Sequence, residues 1–600
     1  MERRQFFRNT IGWSLAFYPF SQELRNFEGS LIEESNQHML PIGLKRPVNI
    51  YNNWSSYDEL SDNIPLTEEL AMRELQELIR LKKNGVHFDY YVMDAFWFSR
   101  AGGYRTWNRQ HWPNGPDKWL QTCKDNDIKP GMWFSTNLVA TRSGPFLDII
   151  PEWKDSLATD PNILCLFSGG YLRHLAETLQ IWADKGVRLF KFDFAYFFAA
   201  TEAVKKVHIP SEIEEMNRLA FMDMLKQFRY RNPEVLITGY NGFGGEMDDT
   251  VTDFRKTIDP RWMDVFDTLY SGDPRISDVP AINFWRSQDI YSDHMVRQFE
   301  FNGLPLQRID NCGFMIGKTG TCYYRANHAW KSMLIMELAR GGWANVYHGN
   351  LELLGDTDAS WFAKTQQMFN KLQRYGTAGT FGAIPGHREP YGFMYEAITG
   401  KLITVVNPTQ GFKEIILPVE ANESGSILFT DEGFRPELKA NKILLGPEQM
   451  AVTGWGEYAD RKYDLGIEES NHIPNTIEKL NADFKESNKN QVAAKLNAPA
   501  GKNIRILLQQ FGADGLPHRS WGGAPPDGKK MDEMLRIEVI QNGKKIPLRI
   551  QYDKMIWSGL SWGAAELPGS NFNPRLPLDI LCSSSENDPM KLRVELYACS

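Results

Sequence analysis

Residues 188–194 read RLFKFDF, and the reading of this stretch decides the rest. At a period of two, Leu189, Lys191 and Asp193 share one face, while Phe190, Phe192 and Phe194 share the other. Such a run reads as a buried strand, yet it turns a lysine and an aspartate onto one face, a single residue apart. A buried ion pair that fixes register is one explanation, but such pairs cost desolvation and rarely add stability. The other explanation is chemistry: an aspartate at a strand end, beside a cation that lowers its pKa, has the makings of a nucleophile.

Outward from this strand, residues 47 to 375 alternate short apolar runs with longer amphipathic ones. Strand-like runs fall at 48–51, 90–93, 131–134, 189–192, 235–238 and 265–269, with WANVYHG (343–349) as a final strand. Helical patterns fall at 67–83, 117–126, 171–185, 212–230, 327–340 and 359–375. About eight such units imply an α/β fold, a (β/α)8 TIM barrel at 47–376, with a doubly wound open sheet as the alternative. From residue 377 the pattern becomes short alternating strands punctuated by Gly, Pro and Asn. That predicts a C-terminal antiparallel β-sandwich at 377–460. Residues 459–500 are polar and read as a connector, and β-type runs from Ile504 onward predict a further β-rich domain within 461–600.

The net charge of −8 provides no broad basic surface, which argues against a nucleic-acid partner. Six scattered cysteines form no CxxC pair, and the eleven histidines no HExxH, so neither a metal site nor another cofactor is expected. GFMIGKTG (313–320) has only three residues between Gly313 and Gly317 where a phosphate loop needs four, and is rejected as one. Residues 1–25 place Arg3, Arg4 and Arg8 before a short apolar stretch, the pattern of a bacterial export signal, so a periplasmic or secreted protein is expected. No run of 18 or more apolar residues follows, so no transmembrane segment is expected.

Barrel enzymes carry their sites at the C-terminal strand ends. Three predicted strands end in acids: YYVMDAFW with Asp94, RLFKFDF with Asp193, and VFDTLYSGDP with Asp273. One aspartate alone could cap the following helix; three at alternate strands are harder to assign so. Trp54, Trp97, Trp133 and Tyr240 lie at or just past strand ends and are candidate sugar platforms, with barrel-core packing as the alternative. Arg275 and Arg286 would bind a polar substrate group or pair with nearby aspartates.

Short motifs resemble the clan of family 36 and family 27 glycoside hydrolases, the α-galactosidases or melibiases. NIYNNW and YYVMDAFW resemble its first strands, PGMWFSTNLV its third, KGVRLFKFDF its nucleophile motif, and LYSGDP its acid/base segment. The resemblance implies a metal-free retaining glycosidase acting on an oligo- or polysaccharide, with Asp193 as nucleophile, Asp273 as acid/base, and Asp94 and Lys191 gripping the sugar. Its motifs depart in two places. The clan's second aspartate of DDGW is Ala95, and its EPEMV is Ser135-Thr136-Asn137-Leu138-Val139, so the pocket is altered. WRSQDI offers Asp289 as a rival acid/base, while Asp278 and Asp289 also read as a helix N-cap and an exposed helical acid. The expected activity is hydrolysis of terminal α-galactoside-like linkages. The rivals are a different glycone (α-N-acetylgalactosaminide, β-L-arabinopyranoside, modified galactose) and a catalytically silent glycan-binding barrel.

Overall fold

The computed structural model describes residues 43–600 except 55–65, 96, 142–143, 245–257, 271–289, 318–329, 386–388, 410, 432, 469–475, 523–528 and 551–558. The proposed export signal, Arg286 and the segment holding Asp273, Arg275, Asp278 and Asp289 lie outside the described residues.

Eight strands close into a parallel barrel: β1 (Val48–Asn52), β2 (Tyr90–Met93), β3 (Lys129–Ser135), β4 (Leu189–Asp193), β5 (Leu236–Gly239), β6 (Thr268–Tyr270), β7 (Ile309–Ile316) and β8 (Ala344–Gly349). Each pairs with its sequence neighbours, and β8 closes on β1 through Val48 opposite Ala344. The fold is thus a TIM barrel, not an open sheet. The connecting helices are α1 (Glu68–Lys83), α2 (Asp117–Asp125), α3 (Tyr171–Asp184), α4 (Pro210–Arg231), α5 (Ile290–Phe301), α6 (Trp330–Ala339) and α7 (Asp356–Tyr375). A 3-10 turn, Pro260–Asp264, stands between β5 and β6. Local chemistry sets these bounds. Thr67 caps α1 by accepting a 3.1 Å hydrogen bond from the Leu70 amide, with Glu68 and Glu69 in the first turn and Lys82 and Lys83 in the last.

The alternation in RLFKFDF is realised. Phe190 and Phe192 point outward onto Phe228 and Phe221 of α4, with ring centroids 4.9 and 5.3 Å apart. Leu189 and Lys191 point inward and line a small cavity on the barrel axis with Asn52, Thr238, Tyr240 and Asp310. The polar face of β4 therefore faces the barrel interior, where the parallel sheet would otherwise be apolar.

Two regions of the sequence reading are corrected. β7 and α5 were not expected. The stretch 459–500 is no connector: Gly466–Glu468 adds to the first sandwich sheet, and Ile477–Leu480, Lys485–Asn488 and Gln491–Leu496 are strands of the last domain. Among the described residues the first sandwich has a six-stranded and a three-stranded sheet, packed through Val405, Ile415, Ile443, Leu445 and Trp455. Among the described residues the last domain has two five-stranded sheets and a two-stranded one. The barrel and the first sandwich are joined by hydrogen bonds. The Glu468 carboxylate accepts from the Lys331 and Ser332 amides at 2.7 and 3.0 Å and also bonds the Ser332 hydroxyl, which donates to Asp431 at 2.5 Å. A buried Arg505–Glu448 ion pair of 2.7 Å ties the last domain to the first sandwich.

Candidate active site

Asp193 closes β4, at the mouth end of the barrel, and is 7% exposed. Its Oδ1 accepts three hydrogen bonds: from the Phe194 amide at 2.9 Å, the Asn241 side-chain amide at 2.9 Å and the Asn241 backbone amide at 3.2 Å. Its Oδ2 accepts one, from the Trp133 indole at 3.1 Å. The donors come from β3, from the turn after β4 and from the residue past Tyr240 at the end of β5, so three adjacent strands fix one carboxylate. Phe194 sits at φ 53°, unusual for a bulky side chain, and this turn aims its N–H back at Asp193. The turn is itself clipped: Asn137 accepts from the Tyr196 amide and donates to the Tyr196 carbonyl, both at 2.9 Å. The Asn137 of the altered motif thus braces the loop that follows Asp193.

Lys191 does not pair directly with Asp193, as its spacing on β4 suggested. Its ammonium donates to Asp94 Oδ2 at 2.8 Å across the barrel, and both side chains are buried. Asp94 Oδ1 accepts from the Ala95 amide at 2.8 Å. The expected lowering of the Asp193 pKa is also corrected. Burial dominates and raises it, with the Lys191 charge and the Trp133 and Asn241 hydrogen bonds pulling part of the way back. Lys191 is opposed by burial, yet the Asp94 and Asp193 charges more than offset this, so its pKa lies above the ordinary value.

The aromatic candidates separate. Tyr240 is 5% exposed and no sugar platform. One face stacks on Tyr270 at 4.3 Å, the Lys191 ammonium sits 4.0 Å from its ring centroid, and its hydroxyl donates to Asp310 at 3.0 Å. Trp97 is fully buried on the outer side of the sheet among Trp107, Phe134 and Trp182, so it has no face to offer a ligand. Trp133 is also buried; it holds Asp193 by its indole N–H and packs edge-on to Phe194. Trp54 is half-buried just past β1, held by a 2.9 Å bond from its amide to Asn52 Oδ1, and keeps the platform role open.

Three residues at the site were missed by the sequence reading. Asn241 donates twice to Asp193, while its own Oδ1 is buried without a hydrogen-bond partner. Asp310 lies under Tyr240, and burial lifts its pKa to about 7 against the pull of Tyr240, Lys191 and Thr268. His348 lies near the end of β8; burial, then the Lys191 charge, push its pKa down to about 3, leaving a neutral imidazole. Parity along NVYH, which puts His348 on the face of Val346, was the available signal. Among the described residues no cluster of three or more His, Cys, Asp or Glu side chains is placed to hold a metal ion.

No protein-family model and no curated protein matches the chain. Solved structures of similar fold include a family 36 α-galactosidase, AgaA of Geobacillus stearothermophilus, in complex with 1-deoxygalactonojirimycin. It is 14% identical with a TM-score of 0.47, over 68% of this chain and 55% of that one. The galactosidase domain of an α-galactosidase–sucrose kinase, AgaSK, is 15% identical with a TM-score of 0.46, over 68% and 54%. The trehalose-6-phosphate hydrolase of Bacillus licheniformis is 10% identical with a TM-score of 0.43, over 68% and 99%. The chain thus spans about half the length of the two α-galactosidases.

Proposed function

We propose that the chain is a retaining glycoside hydrolase acting on terminal α-galactoside-like linkages of oligo- or polysaccharides. The observation that carries the reading is the Asp193 carboxylate: buried at the barrel mouth, fixed by four donors, with the Lys191–Asp94 pair on the neighbouring inward positions. Oδ1 is saturated by three hydrogen bonds, whereas Oδ2 has one and keeps lone-pair capacity, so Oδ2 is the attacking atom. It displaces the aglycone oxygen at the anomeric carbon and forms a glycosyl ester. Asp273 supplies the proton the departing oxygen takes up, then removes a proton from the water that cleaves the ester, restoring both carboxyl groups with net retention. Burial, which disfavours the Asp193 anion in the empty site, makes the anion a stronger partner for the positive charge that develops on the sugar. The orphan Asn241 Oδ1 is the kind of buried acceptor that a substrate hydroxyl satisfies.

A second glycone is favoured by one observation. Both Asp94 oxygens are already engaged, by Lys191 and the Ala95 amide, and no second carboxylate stands at 95. An α-N-acetylgalactosaminide, a β-L-arabinopyranoside or a modified galactose therefore belongs in the same test. Export belongs to the proposal too, resting on Arg3, Arg4 and Arg8 before the apolar stretch, and is checked by cell fractionation.

The test is hydrolysis of a panel of aryl glycosides, with NMR of the first-formed anomer, for the wild type and Asp193→Asn. Cleavage with retention, reduced about a thousandfold or more in the variant, is expected. Inversion would refute the mechanism. Silence across the panel with sugar binding intact would leave a glycan-binding barrel instead.

A further inference from the structure

The floor of the barrel mouth holds a chain of contacts that the reaction above does not use. Asp310 on β7 is buried and accepts the Tyr240 hydroxyl at 3.0 Å. Tyr270 occupies one face of the Tyr240 ring at 4.3 Å, with the two planes 17° apart, which leaves the other face to the Lys191 ammonium at 4.0 Å. That ammonium donates to Asp94 at 2.8 Å. Lys191, Thr238, Tyr240 and Asp310 border the same small axial cavity.

A lysine has a flexible stem and three donors, and nothing in its own chemistry fixes where the ammonium sits. Here one donor is spent on Asp94, and the ring of Tyr240 bounds the ammonium from another side. The ring cannot tilt away, because Tyr270 packs behind it and Asp310 holds its hydroxyl. A phenol that donates to a carboxylate also gains electron density in its ring, which strengthens its attraction for a cation.

We propose that Asp310 is a positioning residue of the sugar pocket, acting through Tyr240 to hold the Lys191 ammonium between Asp94 and the space above Asp193. The proposal rests on the glycosidase reading and adds a residue to it. The ionisable groups around Lys191 and Asp310 are Asp94 beyond β2, Asp193 on β4, Tyr240 beyond β5, Tyr270 on β6, Cys312 on β7 and His348 on β8. Of these, His348 is neutral, burial keeps Tyr240 protonated, and Asp310 titrates near 7. The Asp310 anion is the form that grips the Tyr240 hydroxyl most strongly, so the hold on Lys191 tightens as pH rises through that value.

The experiment compares wild type, Asp310→Asn, Tyr240→Phe and the double variant by pH profiles of kcat/KM, on the glycoside the panel selects. Asp310→Asn keeps an acceptor but cannot ionise; Tyr240→Phe keeps the ring but loses the link. Each is expected to raise KM about tenfold with little change in kcat, and to abolish a limb near pH 7. The double variant is expected to lose no more than either single one. A limb that persists in Asp310→Asn, or losses that multiply in the double variant, would overturn the proposal. If the wild type cleaves no glycoside, the glycosidase reading fails, and infrared titration of the full-length protein then decides the coupling. A protonated-carboxyl band that disappears near pH 7, is absent in Asp310→Asn and titrates at higher pH in Tyr240→Phe upholds it. A band unmoved in Tyr240→Phe refutes it.

Discussion

Replacing Asn241 by leucine removes the side-chain N–H that reaches Asp193 Oδ1 at 2.9 Å, while keeping nearly the same side-chain shape. A hydrogen bond to a charged group contributes about 1.5–3 kcal/mol. Two further donors on Oδ1 survive, the backbone amides of Phe194 at 2.9 Å and of residue 241 at 3.2 Å, so the bottom of that range applies. The anion loses this stabilisation and the protonated acid does not. Asp193, already raised by burial, therefore stays protonated to still higher pH. On the proposed mechanism a protonated carboxyl cannot attack, so the acid limb of kcat/KM moves to higher pH. On that limb the rate falls about tenfold, corresponding to about 1.4 kcal/mol, while the loss shrinks toward the alkaline side. The assay is the kcat/KM profile of both proteins on one aryl glycoside. An equal loss at every pH, with the acid limb unmoved, would refute the claim that Asn241 acts by holding the ionised nucleophile.

Two other outcomes follow from groups away from Asp193. Glu468 is buried against Asp431, and its pKa stands at about 7 where 4.5 is ordinary, burial being the main cause. Its contribution to stability is full below 4.5 and lost as pH rises through 7, a span worth about 3 kcal/mol. Urea unfolding between pH 5 and 8 should show that decline in the wild type and a flatter profile in Glu468→Gln; equal slopes would contradict it. Trp97→Ala removes a fully buried indole and should cost about 3–5 kcal/mol of stability with KM for the glycoside unchanged. A rise in KM measured well below the melting temperature would return Trp97 to the sugar pocket.

The elements that were legible in the sequence are those whose burial is uniform. β4 alternates cleanly because its outer face meets α4 and its inner face meets the barrel axis. α1 announces itself by Thr67 and its flanking charges. β7 was hidden because IDNCGFMI interrupts its apolar run with Asp310, Asn311 and Gly313, and the partners of Asp310 and Asn311 lie elsewhere in the barrel. Asp310 meets Tyr240, and Asn311 bonds Asn345 at 3.0 Å. The same limit applies at the site. Asp193 and Lys191 could be picked out because they break a local pattern, but the partner of Lys191 is Asp94, 97 residues away. Local spacing could not show that the lysine would reach across the barrel. Aromatic residues near strand ends look alike in sequence, yet Trp97, beyond β2, is packed outside the sheet, whereas Trp133, within β3 and opposite Lys191, is aimed at Asp193. Asn241 sits in GYNGFGG, where an asparagine reads as a turn residue.

The capping of α6 by Glu468 bears on how this protein can be taken apart or recombined. The amides at the start of a barrel helix are satisfied by a carboxylate that the chain supplies more than a hundred residues later, from the edge strand Gly466–Glu468. A barrel severed at residue 376 would expose those amides and the Trp361 indole, which now donates to the Leu465 carbonyl at 2.8 Å. Any foreign sandwich grafted there would have to present a carboxylate at the same spot. The sandwich is therefore no interchangeable accessory: the first turn of a barrel helix is completed by a side chain that its neighbour supplies.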